Sequence, residues 1–415
     1  PAIDTILSSL EPALADLEAT VAPTWDGCML PMRDLFEPLD FAWGIISHLH
    51  SVMNTPAWRE IHDELQPRIV ELSLRSSQSE PIYQALKTLR DSGVWASLST
   101  TQQRIVESSL LEAELAGVGL PHAERKRFNA LKQELAQITT NFSNNVLDAT
   151  KAYALQLKTN DEIVGLPQSL LIAASEAAKR TGSTESTPTD GPWAITLEMP
   201  LFGPFMQYSQ RRDHRETLYR AYISRASSGS TDNTPLIDRI LSLRQEIAAL
   251  LGYETYAEVS LSQKMADSVE EVDTMVERLR SVAFPVAKRE LEELESFASN
   301  HGQNAPLMNW DTGYWSESMR EARFGFTDED LRPYFQFPRV LEGLFGLANR
   351  IFGITISAPD TPMPVWHEDV MTFVISDDSG AQIASFYLDP YSRPETKRGG
   401  AWLNPMRPRC RKSDG

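Results

Sequence analysis

The chain has 415 residues, 41% hydrophobic and 23% charged, which is enough to bury a large core across two or three domains of ordinary size. Its 39 Lys and Arg stand against 57 Asp and Glu, a net charge of -18, and a field of that sign disfavours a general binder of nucleic acid or anionic membrane. No apolar run approaches the ~18–20 residues that span a bilayer, and the first 22 residues mix apolar and acidic side chains instead of showing the basic-then-apolar order of a secretory signal.

Taken in chain order, the elements are mostly helical. Ile3, Ile6, Leu7, Leu10, Leu14, Leu17 and Val21 recur at spacings of three and four, one apolar stripe of an amphipathic helix. Thr55 before Pro56 reads as an N-cap with proline at the first helical position, opening a segment that runs through Trp58, Ile61, Leu65 and Ile69. Pro121 to about Leu157 carries neither Gly nor Pro after its first residue and predicts one long helix. Ser268 with Glu271 makes a capping box for another, running to about Ser299. Gly182–Pro192 and Ser227–Pro235 are small, polar and turn-rich, as linkers are. Short strands are expected at Trp193–Leu197, Met371–Ile375 and Ile383–Leu388, the last two joined by a hairpin loop at Ser376–Gly380. No fixed-period repeat is present, which argues against a solenoid. The expected fold class is mainly α with a small antiparallel β element. Residues 1–160 form a long-helix N-terminal domain, 161–210 a connector with short strands, and 211–415 a third part.

Chemistry-bearing motifs are scarce. The seven histidines include no pair four residues apart, and His48 and His50 would point about 200° apart on a helix, so they cannot share a metal ion. His367-Glu368 opens like the helical zinc motif His-Glu-x-x-His, but Met371 stands at the fifth position and the segment leads into a strand, so no metal ligand is assigned. Gly117-Val118-Gly119 lies between two helical stretches and reads as a turn, and neither a Gly-Lys-Ser/Thr nor a Gly-x-Ser-x-Gly sequence occurs. The acids of Glu290–Glu295 interleave with Leu291 and Leu294 as on a solvated helix face. Cys28 and Cys410 give neither a disulfide framework nor a Cys-x-x-Cys site, which fits a reducing compartment, cytoplasm or organelle matrix. The segment Phe386–Pro394 followed by Lys397–Trp402 mixes aromatic, cationic and glycine residues. That mixture suits a peptide or carboxylate ligand and equally suits a structural turn beside a sheet.

FYLDPYSRP with KRGGAW resembles the corresponding stretch of the oligopeptidase A and thimet oligopeptidase family of zinc metallopeptidases. The likeness continues, in the family's order, through Glu37–Val52, Ala113–Pro121, Asn141–Lys151, Leu218–Ser227, Leu250–Ala266, Trp310–Glu317 and Leu331–Phe335, and it is nearest to the oligopeptidase A type. The resemblance implies a zincin-like, mostly helical endopeptidase that cleaves short peptides in an enclosed channel, a monomer without nucleic-acid or membrane partners. It implies zinc held by His-Glu-x-x-His and a later Glu, a motif absent from these 415 residues, so that no catalytic residue or zinc ligand is assigned and the chain alone is expected to be inactive. By the same resemblance residues 211–415 are the first, incomplete part of the catalytic domain, with uncovered apolar surface expected near their C-terminal end. Tyr387, Tyr391, Arg393, Arg398, Gly399 and Gly400 are the candidates for lining the peptide path, whereas Trp310, Tyr314, Trp315, Tyr334 and Phe335 are expected in the core. The alternative from a different class is a non-catalytic helical product that binds peptides or proteins.

Overall fold

The computed structural model describes residues 2–393 and 395–407; Pro394 and the tail from 408 onward, including Cys410, lie outside the described residues. The helices in chain order are α1 Ala2–Thr20, α2 Leu30–Val52, α3 Pro56–Ser77, α4 Glu80–Arg90, α5 Thr100–Leu115, α6 His122–Lys151, α7 Gln168–Arg180, α8 Met199–Tyr208 and α9 Arg212–Ile223. They continue with α10 Thr234–Leu250, α11 Tyr256–Leu261, α12 Val269–Asn300, α13 Asn309–Phe324, α14 Asp328–Leu331 and α15 Phe337–Phe352. The strands are β1 Ala154–Leu157, β2 Trp193–Thr196, β3 Thr355–Ser357, β4 Met371–Ser376 and β5 Gln382–Leu388. The fold is mainly α, as its sequence periodicity implies. The described residues divide into two compact units, one within 2–146, 226–283 and 400–407, the other within 147–225, 284–393 and 395–399.

In the first unit the α1 stripe turns inward, with Ile3, Leu7 and Leu10 packing on Leu39, Leu65 and Leu72. Leu14 joins a second cluster with Cys28, Ile82, Leu86, Leu89 and Val106. Each such fully buried aliphatic side chain contributes about 1.5–3 kcal/mol. Burial also pushes the Cys28 thiol up to about 11, which makes it an inert core residue. α3 starts as its sequence dictates: Thr55 Oγ1 accepts the Trp58 N–H at 3.4 Å, and Pro56 occupies the first turn where no N–H is needed. At the start of α12, Ser268 Oγ accepts the Glu271 N–H at 3.1 Å while the Glu271 carboxylate reaches back to the Asp267 N–H at 2.8 Å. Gly117, with φ of +86°, makes the turn between α5 and α6. A third cluster joins Phe128 and Leu131 of α6 to Leu243 and Ile247 of α10.

The long helix expected over Pro121–Leu157 ends sooner, at Lys151. Ala154–Leu157 instead pair antiparallel with Trp193–Thr196, Leu157 opposite Trp193. The alternation of the short strand sends Leu157 into the core of the second unit, where it is fully buried with Trp193, Ile195, Phe205 and Leu218. The polar stretch before β2 is a structured turn, since Ser186 is buried and donates to the Pro192 carbonyl at 2.7 Å. The other sheet runs β3-β4-β5, all antiparallel, and its hairpin loop is closed by Asp377, whose Oδ1 accepts the Ser379 and Ala381 N–H groups at 2.9 and 3.0 Å.

Trp310 and Trp315 are buried as expected, but Tyr334 and Phe335 are 75% and 67% exposed. They sit on a short 3-10 turn leading into α15, a helix with no buried residue, and nothing in their unit covers them. The expected uncovered apolar surface is present. Phe324, Phe352, Ile383 and Leu403 are exposed along with most apolar residues of α15.

Candidate functional site

The segment singled out by composition begins on β5, where Tyr387 lies opposite Thr372 and Phe386 opposite Phe373. Alternation puts Phe386 against Phe373 and Phe345, with ring centroids at 5.2 and 6.4 Å. Tyr387 faces the other way, 5.2 Å from the Trp366 ring. The Trp366 indole N–H in turn donates to Asp389 Oδ2 at 3.0 Å.

Asp389 is the hub of the loop. Arg393 grips it with two parallel hydrogen bonds of 2.7 and 2.6 Å. The Lys397 ammonium lies 3.1 Å from its Oδ1 and donates to the carbonyls of Asp389 and Tyr391, both at 2.8 Å. Burial by itself raises this carboxyl; hydrogen bonds from Arg393, Trp366 and Lys397 outweigh it and hold the group at about 2. The loop is also tied outward, by Ser392 donating to Glu198 at 3.0 Å and by Arg180 beside Glu395 at 3.0 Å. Burial pushes the Glu198 carboxyl up.

This geometry sorts the six candidates. Arg393 is buried and its guanidinium is committed to Asp389, so its charge serves the loop. Tyr387 is half-buried beside Trp366, and Tyr391 is exposed near Phe337, with ring centroids at 6.3 Å. Arg398 and Gly399 are exposed. Gly400 has φ of +105°, a left-handed backbone that only glycine adopts without strain. The sequence reading passed over Asp389, Lys397 and Trp366. The signal for two of them was present: Asp389, Arg393 and Lys397 are opposite charges four residues apart within one short segment.

β5 closes one end of its sheet, so among the described residues one of its edges has no strand partner. Such an edge offers backbone N–H and C=O groups to an extended chain. Two cavities lie outside this segment. One of about 910 Å³ in the first unit is lined by Met29, Phe36, Trp43, Leu135, Lys132 and Arg244, and burial lowers the Lys132 ammonium. A smaller one of about 260 Å³ in the second unit is lined by Tyr208, Tyr314, Glu317, Glu321 and Glu329. There burial and the Glu317 carboxylate, which accepts the Tyr208 hydroxyl at 3.0 Å, push the phenol far above its usual range.

Among the described residues no three His, Cys, Asp or Glu side chains gather as a metal-holding group. His50 stacks on His62 with ring centroids 4.2 Å apart, and His62 stacks on Trp43 at 5.1 Å. His367 Nδ1 accepts the Asp369 N–H at 3.2 Å in a bend before β4, not on a helix. The residues described therefore do not fit a zinc ion. No helix of the described residues is long and apolar enough to cross a membrane.

Comparison with known proteins gives two family matches in series. The N-terminal domain of neurolysin/thimet oligopeptidase matches residues 3–125, and peptidase family M3 matches residues 205–415. The organellar oligopeptidase A, chloroplastic/mitochondrial, of Arabidopsis thaliana is 46% identical over 413 residues, covering 99% of this chain and 52% of that protein. A probable cytosolic oligopeptidase A of the same plant is 45% identical over 413 residues, 99% of this chain and 59% of the relative. Oligopeptidase A of Escherichia coli (strain K12) is 36% identical over 421 residues, 100% of this chain and 61% of the relative. The chain thus spans between about half and three fifths of the length of these relatives. With that family matched over half of its residues and the companion N-terminal domain preceding it in order, the chain belongs to peptidase family M3.

Proposed function

We propose that the protein acts as a zinc-dependent metalloendopeptidase of the oligopeptidase A type, hydrolysing short peptides in an enclosed channel of the cytoplasm or an organelle matrix. The observation that carries this reading is the 46% identity maintained over 413 residues to a relative named for that activity. In this reading residues 1–160 form a helical channel wall, 161–210 a connector, and 211–415 the first part of the catalytic domain. The peptide path runs past Tyr387, Tyr391, Arg398, Gly399 and Gly400, with Arg393 shaping the loop through Asp389. The unpartnered edge of β5 supports it, because an extended substrate needs main-chain partners. Zinc would act as Lewis acid and activate the attacking water, from ligands outside the residues described.

These 415 residues contain no His-Glu-x-x-His, so the chain alone is expected to hold no stoichiometric zinc and to leave a quenched fluorescent peptide intact. Tight zinc binding or hydrolysis by the chain would sink that part. The activity itself is tested on the longest natural polypeptide that contains these residues. Cleavage of short peptides should stop on chelation and return with zinc, and a product that binds peptides without cleaving them would favour the non-catalytic alternative. In the same polypeptide Arg398→Ala should raise KM for short peptides; unchanged kinetics would remove Arg398 from the path.

A further inference from the structure

We infer that the large cavity of the first unit is a binding site for an aliphatic carboxylate, its chain lying along apolar walls and its head meeting Lys132 and Arg244. At about 910 Å³ the cavity falls within the roughly 300–1,000 Å³ of small-molecule sites. Phe36 and Trp43 of α2, Val70 of α3 and Leu135 of α6 make its apolar walls. The lining follows α2 from Met32 to Trp43, about 16 Å of helix, which suits an elongated body better than a compact one.

The charges of the lining select the head group. Leu131 and Leu243, the residues before the two cations, are fully buried between α6 and α10, which fixes where both side chains start. Among the described residues neither cationic head makes a hydrogen bond or ion pair. Arg244 Nε is buried without an acceptor, so the guanidinium is left to bind through its two terminal nitrogens. On the exposed side of the same two helices the sequence does supply acceptors, Glu246 for Arg127 and Glu134 for Arg239, each at 2.5 Å. The other charged groups of the lining do not take their place. Arg33 is spent on Asp34 at 2.6 Å, Asp40 and Glu112 pair with neither cation, and burial pushes the Asp40 carboxyl up, which weakens its charge. Two bare cations beside apolar walls, in a chain of net charge -18, complement an anion with an apolar body. A carboxylate matches the guanidinium fork with two oxygens, and its single charge costs less to desolvate than a phosphate.

The inference rests on this cavity and not on peptidase activity, so its test reads binding. Sodium decanoate is titrated calorimetrically into the longest natural polypeptide that contains these residues, with decyltrimethylammonium as the probe of opposite charge. Saturable binding of decanoate alone is expected, whereas exposed apolar surface elsewhere would take up both. Lys132→Met with Arg244→Met should weaken decanoate by about tenfold or more, and Arg127→Met on the exposed side should leave it unchanged. Ala136→Trp keeps both cations and fills the cavity, and should abolish binding. A readout without any variant fixes the place: decanoate should protect Lys132, and not the exposed Lys126, from reductive methylation read by peptide mass spectrometry. Equal binding of the two probes, or methylation of Lys132 unchanged by saturating decanoate, overturns the inference. Protection by N-acetylated trileucine and not by decanoate would also overturn it, since the site would then take a peptide end.

Discussion

Arg215 and Asp311 form a buried ion pair at 2.9 Å, the arginine 2% and the aspartate 0% exposed at the side chain. Each of the three guanidinium nitrogens donates a hydrogen bond. Its guanidinium also reaches the carbonyls of Trp310 at 3.0 Å and Ser209 at 2.6 Å and lies 4.3 Å from the centre of the Tyr314 ring. Asp311 accepts in addition from Arg212 at 2.8 Å and from the Met308 N–H at 3.0 Å. Burial alone would raise its carboxyl, but these partners outweigh it and lower the value. The pair thereby fixes α9 against the first turn of α13.

Removing one partner strands the other charge in the core. Asp311→Ala should therefore destabilise the second unit by about 3–5 kcal/mol, measured by urea unfolding. Arg215→Met with Asp311→Leu should cost much less than either single change, because no charge is left stranded in the core; Arg212, which also loses Asp311, is 38% exposed and reaches solvent.

Asp389 makes a pH prediction for the candidate segment. Its folded-state value of about 2 lies below the ordinary 3.8, so its contribution is complete above 3.8 and is lost as pH falls toward 2. The contribution is on the order of 2 kcal/mol. Comparison of unfolding at pH 5 and pH 3 should show that Asp389→Asn removes this part of the acid sensitivity; an unchanged pH slope would refute the role given to the Arg393 and Lys397 contacts.

His62 predicts sensitivity nearer neutrality. Burial lowers its value below 6.5, with Asp63 opposing only in part. The unfolded chain therefore takes up more protons on acidification, and stability present above 6.5 is lost as pH falls through the lower folded-state value. Replacing His62 with Phe keeps a ring between Trp43 and His50 and should flatten the stability profile between pH 7 and 5, read by thermal melts.

Gly165 has φ of +89°, and a Cβ there would collide with the Tyr208 carbonyl oxygen. Gly165→Ala should lower stability by about 2–4 kcal/mol through strain and displacement together. Gly252, with φ of +82° and open space around it, should lose only about 1 kcal/mol on the same change. Equal losses at the two positions would show that collision contributes nothing.

What the sequence determined by itself is local or cumulative. The α1 stripe, the Thr55 cap, the Asp377 hairpin loop and the family motifs were readable because each depends on neighbours within a few residues or on order along the chain. The tertiary structure alone decided where α6 stops, because Leu157 gains its burial from Trp193, 36 residues away in the chain. It alone decided that Arg393 serves Asp389, since composition cannot tell a cation facing a ligand from one spent on its own loop. It also separated buried Trp310 from exposed Tyr334. Side chains of the same chemistry take opposite fates according to what packs over them, and that covering surface is assembled from distant parts of the chain.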